Sequence, residues 1–348
     1  MSTPVIAFFN NKGGVGKTLL VYHLAWMYAD LGIRVVAADL DPQANLTAAF
    51  LDEATLEALW SIGDHPDTVF GCIQPLLKGT GDINIPHIEI ISDMQPSLFD
   101  EEPTGRIALL PGDLRLSSFE DELSDVWPKC LEEGKEREFR VISAFWRMMQ
   151  LAATEHRAQI VLLDLGPNLG AINRSALIAT DYVAVALSPD LFSLQGLRNL
   201  GPTLQKWRTG WKERLKKNTE KNLLLPSGKM EPIGYVVQQH AVRMDRPVKA
   251  YERWIARIPV EYREYVLNEP ANTSITIEND PNCLGLLKHY HSLMPLAQEA
   301  HKPMFQLKPA DGAIGSHLQA VQSAYLDFKH LAEKIVERID LSLPDMAS

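Results

Sequence analysis

A stretch near the start of the chain, Asn10-Asn11-Lys12-Gly13-Gly14-Val15-Gly16-Lys17-Thr18, brings together three glycines, two lysines and a hydroxyl. Those residue types suit the binding of a phosphate chain. Glycine lets backbone N–H groups turn inward and approach phosphate oxygens closely. At this spacing Lys17 reaches the β- and γ-phosphates of a nucleotide, and the Thr18 hydroxyl ligates Mg²⁺. Two further groups of carboxylates qualify. Asp39 and Asp41 stand two apart in Asp39-Leu40-Asp41-Pro42-Gln43-Ala44-Asn45, and Asp164 ends the apolar run Gln159-Ile160-Val161-Leu162-Leu163. Asp164 would hold Mg²⁺ through water, opposite Thr18.

The elements that must position these groups are legible around them. Val5–Phe9 is apolar and partly β-branched, which predicts a short buried strand ahead of the glycines. Leu19 to Leu31 follows with helical spacing, Leu20, Leu24, Met27 and Leu31 on one face and Gly32 at the end. Strand, glycine loop, Lys-Thr and helix form the context a phosphate loop needs. The helix N-terminus adds partial positive charge at the same point. Arg34–Asp39 reads as a second buried strand, so the unit is β-α-β and the sheet parallel. In such sheets ligands bind beyond the carboxyl ends of the strands, where Asp39 and Asp164 fall. The expected fold is α/β: a doubly wound, mostly parallel sheet with helices on both faces.

The loop departs from G-x-x-x-x-G-K-[ST], because Asn11 stands at the first glycine and Lys12 opens the run instead. The order Lys-Gly-Gly-Val-Gly-Lys-Thr resembles the deviant phosphate loop of ParA and MinD-type ATPases. The resemblance covers residues 3–50 and 157–240, and 285–340 more loosely. It implies that Lys12 crosses a dimer interface to the partner's nucleotide. It further implies that residues 12–18 (Lys12, Gly13, Gly14, Val15, Gly16, Lys17 and Thr18) cradle ATP, and that Asp41 orients the attacking water. By the same resemblance Asp39–Thr47 is a first switch, Asp39 sits near the Mg²⁺ shell with Thr18 and Asp164, Leu165–Gly170 is a second switch, and Ser193–Leu197 lies near the dimer face. Gln238-Gln239 occupies the adenine-contacting position, where Asn or Asp is the usual residue.

The chain has 348 residues, formal net charge −10 and 46% hydrophobic content. That length suits one large α/β domain over residues 1–348. No run of about 18 apolar residues is present, so no membrane-spanning helix is expected. A core strand at the very start leaves no room for a signal peptide. Cys72, Cys130 and Cys283 are far apart with no C-x-x-C pair, which argues against a disulfide framework or zinc ribbon and fits a cytoplasmic setting. The C-terminal end, Asp340 to Ser348, is acidic and contains Pro344, unlike a basic amphipathic membrane anchor. His289, Tyr290 and His291 lack a third ligand and read as ordinary surface or core residues.

Charge is uneven. Residues 51–138 carry 20 acidic and 6 basic side chains, within an acidic insertion expected over 51–158 at the edge of the core. In that insertion the patterning predicts helices at 53–60, 68–77, 119–131 and 139–156, strands at 88–91 and 106–110, and a turn-rich stretch over 78–105. Further on, strands are expected at 181–187 and 233–237, and helices at 191–217 and 313–339. The last of these would pack Leu318, Val321, Tyr325, Phe328, Leu331 and Ile335 on one face. Lys206–Lys221 holds seven basic and two acidic residues with Trp207 and Trp211 interleaved, and Arg243, Arg246, Lys249, Arg253 and Arg257 form a second basic cluster. These suit either a solvated helix face or a patch for DNA phosphates.

The resemblance therefore implies a Mg²⁺-dependent ATPase switch that dimerises on ATP. Its expected role is plasmid or chromosome partition, with non-specific DNA and a centromere-binding protein as partners, no membrane, and association with the nucleoid. Two other classes are compatible with the residues: a scaffold ATPase acting on a protein partner without DNA, and an enzyme that activates a small substrate with ATP.

Overall fold

Runs of four to six apolar residues, buried at nearly every position, form the middle of one eight-stranded sheet. The computed structural model describes residues 2–61, 63–91, 106–238, 248–288, 290 and 293–342. The strands are β1 (Val5–Phe9), β2 (Val35–Asp39), β3 (Glu89–Ile91), β4 (Ile107–Leu110), β5 (Ile160–Asp164), β6 (Tyr182–Leu187), β7 (Glu231–Gln238) and β8 (Cys283–Leu287). Their order is β3-β4-β2-β5-β1-β6-β7-β8, and every pair is parallel except the edge pair β3–β4. Burial on both faces is what a parallel sheet covered by crossover helices requires.

The helices up to β5 are α1 (Lys17–Asp30), α2 (Asn45–Phe50), α3 (Glu53–Ser61), α4 (Val69–Lys78), α5 (Phe119–Lys129), α6 (Glu136–Ile142) and α7 (Ala144–His156). Beyond it come α8 (Ala171–Ile178), α9 (Leu191–Leu215), α10 (Val248–Ile255), α11 (Ile258–Glu261), α12 (Leu293–Glu299) and α13 (Ser316–Arg338). Side chains alternate across the strands with period two, so each strand feeds two cores. Ile6, Phe8, Val35, Ala37, Ile160 and Leu162 pack with α1 and α13. Val5, Ala7, Phe9, Val36, Val161 and Leu163 face the other way, against α5, α7, α8 and α9. The expected doubly wound fold is observed.

Differences from the expected elements have local causes. The helix expected over 139–156 is two, α6 and α7, joined at Ser143, whose buried hydroxyl donates to the Phe139 carbonyl one turn back (2.7 Å). Such a bond competes with the regular helix ladder. Leu318, expected on the packed face of the last helix, is 42% exposed, while Phe328, Leu331 and Ile335 are buried. Strand β8 was not expected at all. It is five residues long with a glycine in the middle, and a Cβ at Gly285 would lie 3.4 Å from Leu331 of α13. Its place is set by that tertiary contact and carries little local pattern. Gln239, Arg243, Arg246, His289, His291 and residues 343–348 lie outside the described residues.

The acidic segment is less of an appendage than its composition suggests. It supplies β4 and α7 to the core, and only β3 lies at the sheet edge. Several of its carboxylates are used internally: Asp82 pairs with Arg140 and Arg147, and Glu122 with Arg137. It also packs on the basic helix α9, where Glu133 pairs with Lys217 (3.3 Å) and the Trp127 carbonyl accepts from Arg214.

Candidate active site

The site lies at the carboxyl ends of β1, β2 and β5, which the sheet order makes neighbours. Asn10 ends β1. Its amide donates to the Ala186 carbonyl (2.6 Å) and its oxygen accepts from the Lys12 N–H (3.0 Å), which ties the loop to the end of β6. Gly14 and Gly16 adopt φ of 72° and 77°, the left-handed region that glycine tolerates without strain. Val15 is fully buried and anchors the loop. A Cβ at Gly13 would only touch Pro167 (3.7 Å), whereas one at Gly16 would lie 2.1 Å from the Gln238 amide. Gln238 is buried and donates to the Gly16 carbonyl (2.8 Å), so it braces the loop from β7.

Helix α1 has no side chain capping its first turn. Its free N–H groups face the cradle of glycines, the arrangement that attracts phosphate. Lys17 is buried to 7% exposure, and burial lowers its pKa while Asp164 and Asp41 oppose that shift. A buried ammonium between carboxylates and a bare helix terminus fits a polyphosphate.

The Thr18 hydroxyl donates to one oxygen of Asp164 (2.6 Å), and the Leu165 N–H donates to the other (3.1 Å). Asp39 sits beside Asp164 in the β2–β5 register. Both its oxygens are engaged: one accepts from the Thr47 N–H (2.8 Å) and hydroxyl (2.7 Å), the other from the Asp41 N–H (3.2 Å). Burial holds both carboxyls above the usual range. Asp164 pushes Asp39 further up, while the Thr18 bond and Lys17 pull Asp164 back. Carboxylate and hydroxyl oxygens under such a load fit a hard divalent cation.

Asp41 is buried, accepts from the Gln43 N–H (3.0 Å) and lies against Gly166, where an added Cβ would be 3.2 Å from its oxygen. The loop after β2 therefore touches the loop after β5. The Asn173 amide donates to the Gly166 and Asn168 carbonyls (both 2.7 Å) and shapes that second loop. A cavity of about 580 Å³ opens beside Gly16 and Thr18, between Leu19 and Tyr22 of α1, Asn45 of α2 and Met294 of α12.

The fold thus gathers Lys12, Lys17, Thr18, Asp39, Asp41, Asp164 and Gln238 around one loop. Sequence reasoning missed three supporting residues. Thr47 clamps Asp39 and accepts from the Gly112 N–H (2.7 Å); Glu120 accepts from the first N–H groups of α8; and Asp190 pairs with Lys12. Thr47 and Asp190 lie inside conspicuous runs, but their partners are remote in sequence, so no local signal marks them.

A family model described as an AAA domain matches residues 3–217. The chain belongs to this family, the ParA/MinD-type ATPases. It is 30% identical to the Escherichia coli protein IncC over 208 residues, 60% of this chain and 47% of IncC. It is 28% identical to the chromosome-partitioning ATPase Soj of Thermus thermophilus over 211 residues, 61% of this chain and 65% of Soj. The chain therefore spans about half to two thirds of the length of these curated relatives. A Cyanothece McdA variant in complex with ATP shares the fold, with TM-score 0.57, 14% identity and coverage of 98% of both chains. Among the described residues no helix is long and apolar enough to cross a membrane.

Proposed function

We propose that this chain binds ATP with Mg²⁺ at the Lys12–Thr18 loop, hydrolyses it slowly, and uses the ATP-bound state to dimerise. The observation that carries this reading is the convergence of Lys17, the Thr18–Asp164 pair and Asp41 on an uncapped helix terminus. Loop N–H groups and Lys17 hold the phosphates, and Gln238 braces the loop at Gly16. The Thr18 hydroxyl and Asp164 would hold Mg²⁺, whose charge would neutralise the phosphate oxygens when bound. Asp39 orders the first switch through Thr47 and would help hold the ion. Asp41, facing Gly166, orients the attacking water. Lys12 of one copy reaches the nucleotide of a second.

The biological role we propose is partition of plasmid or chromosome DNA, with ATP-dependent, sequence-independent duplex binding, a centromere-binding partner protein and association with the nucleoid. Support comes from relatedness to Soj and from the exposed Lys212 in the last turn of α9 and Lys216 just beyond it. The test is purified protein with ATP, Mg²⁺ and random duplex at about 50 mM salt. Turnover that requires Mg²⁺, an ATP-dependent dimer and a salt-sensitive mobility shift are expected. Charge reversal of Lys212, Lys216 and Lys217 should weaken the shift and spare turnover. Absence of turnover would overturn the reading.

A second reading, a switch acting on a protein without DNA, is favoured by one observation. The acidic segment packs against the basic helix at Glu133–Lys217 instead of facing away from it. Turnover and dimerisation without any mobility shift would select that reading.

A further inference from the structure

Away from the loop, a cleft of about 850 Å³ opens between α5, α8 and α9. Trp127 forms part of its wall. The guanidinium carbon of Arg214 lies 3.6 Å from the Trp127 ring centroid and that of Arg174 lies 4.6 Å away. Trp211 stacks on the same ring system, with centroids 6.3 Å apart and planes at 17°. Two cations therefore converge on one aromatic group.

Their hydrogen bonding is incomplete. Arg214 donates from Nε to the Trp127 carbonyl and from Nη1 to the Gly210 carbonyl; Arg174 donates from Nη2 to the Leu123 carbonyl. The Nε of Arg174 is buried without a partner among the described residues. The carboxylates that act on these arginines are Glu120 and Glu213. Glu120 is already engaged by the N–H groups of Ala171 and Ile172, and Glu213 is exposed. Burial, with the neighbouring Arg214, lowers Arg174 to about 10. Adjacent desolvated cations with spare donors are costly to keep. An oxyanion entering the cleft would relieve that cost, and guanidinium groups grip carboxylates with paired bonds.

We infer that this cleft binds a carboxylate side chain on an acidic peptide segment of a partner protein. Its lining favours a peptide over a duplex. Leu131 and Pro202 offer apolar surface for neighbouring side chains, and Gln205 and Thr209 offer polar groups for a backbone. Aromatic residues with arginine are the usual anchors of protein interfaces. A duplex carries a charge about every 1.7 Å and would bring phosphates against Glu213 and Glu133, whereas a single extended chain need not. The site is separate from the nucleotide loop and does not rest on ATP being the ligand there.

The test uses the full chain and a fluorescein-labelled Glu–Tyr copolymer peptide, read by fluorescence anisotropy. Saturable binding is expected, weakened about tenfold or more in Arg174→Gln. Lys206→Glu, an exposed change on the cleft wall, should also weaken it, and Lys221→Gln should not. Thermal unfolding shows whether Arg174→Gln is folded; if it is not, Lys206→Glu decides. Random duplex should fail to compete. Wild-type affinity in the deciding variant, no saturation by about 100 µM peptide, or full competition by duplex would each overturn the proposal.

Discussion

Lys12 is paired with Asp190, the residue that caps α9 by accepting from the Ser193 N–H (2.9 Å). The lysine expected to serve a second copy is thus held within its own chain. Each side chain is about one third exposed, so the pair is open to water and weak enough to exchange. Exposed Leu191 and Phe192 follow directly, apolar surface next to the lysine.

Asp190→Asn removes the charge while keeping a capping side chain. The ATP-dependent dimer fraction should rise in analytical ultracentrifugation, and a second change, Lys12→Ala, should abolish the gain. Equal dimer in Asp190→Asn and wild type would mean that the pair does not restrain Lys12.

Lys17→Ala removes the buried cation at the loop. Nucleotide affinity or turnover should fall by about 2–4 kcal/mol, the scale of losing one preorganised charge-stabilising donor. Calorimetric titration with ATP and Mg²⁺ checks this. Unchanged affinity and turnover would remove the loop from the mechanism.

Asp41→Ala should leave ATP bound but turnover reduced about a hundredfold or more, because the water loses its orienting carboxylate. The motivation is the contact of Asp41 with Gly166, which places the carboxylate between the loops that follow β2 and β5. Size-exclusion chromatography with ATP should show accumulated dimer. Normal hydrolysis would assign water orientation elsewhere.

Gly112→Ala tests the support of Asp39. An added Cβ would lie 2.8 Å from the Asp39 carboxyl, which strand β2 and Thr47 hold in place. Overpacking of this kind costs about 1–3 kcal/mol. Urea unfolding at constant m-value measures it, and a loss below about 0.5 kcal/mol would show that the carboxyl can move aside.

His23 gives a pH dependence. It is fully enclosed; Nδ1 donates to the Leu19 carbonyl and Nε2 accepts from the Met304 N–H, with Phe328 stacked at 4.9 Å. Burial lowers its pKa from 6.5 to about 4. The folded state keeps the ring neutral while the unfolded chain takes up a proton below 6.5. Its contribution is therefore complete above pH 6.5 and is lost as pH falls toward about 4, by about 3 kcal/mol. Stability measured from pH 4 to 7 should show a shallower slope in His23→Gln. An unchanged slope would rule His23 out as the source.

Much of this protein can be read without coordinates because its chemistry is local. A buried strand, a glycine loop, Lys17-Thr18 and a helix are contiguous, so the phosphate cradle needs only residues 5–31. Asp39 and Asp164 each end an apolar strand, and the rule that parallel sheets bind ligands at their carboxyl edge brings them to the loop. What tertiary structure decided is every contact made across long sequence separations. Thr47 clamping Asp39 under Gly112, Asp190 holding Lys12, Gln238 filling the space beside Gly16, and Glu120 capping α8 are side-chain pairings with no periodic signature. Strand β8 belongs with them, since a short glycine-containing run becomes a strand only when β7 and α13 flank it. The same holds for Trp207 and Trp211. Interleaved with lysines they resemble a binding surface, yet both are buried in the core, because the opposite face of α9 packs against the sheet and α5. Local propensity sets which elements form; packing decides which of their faces water never reaches.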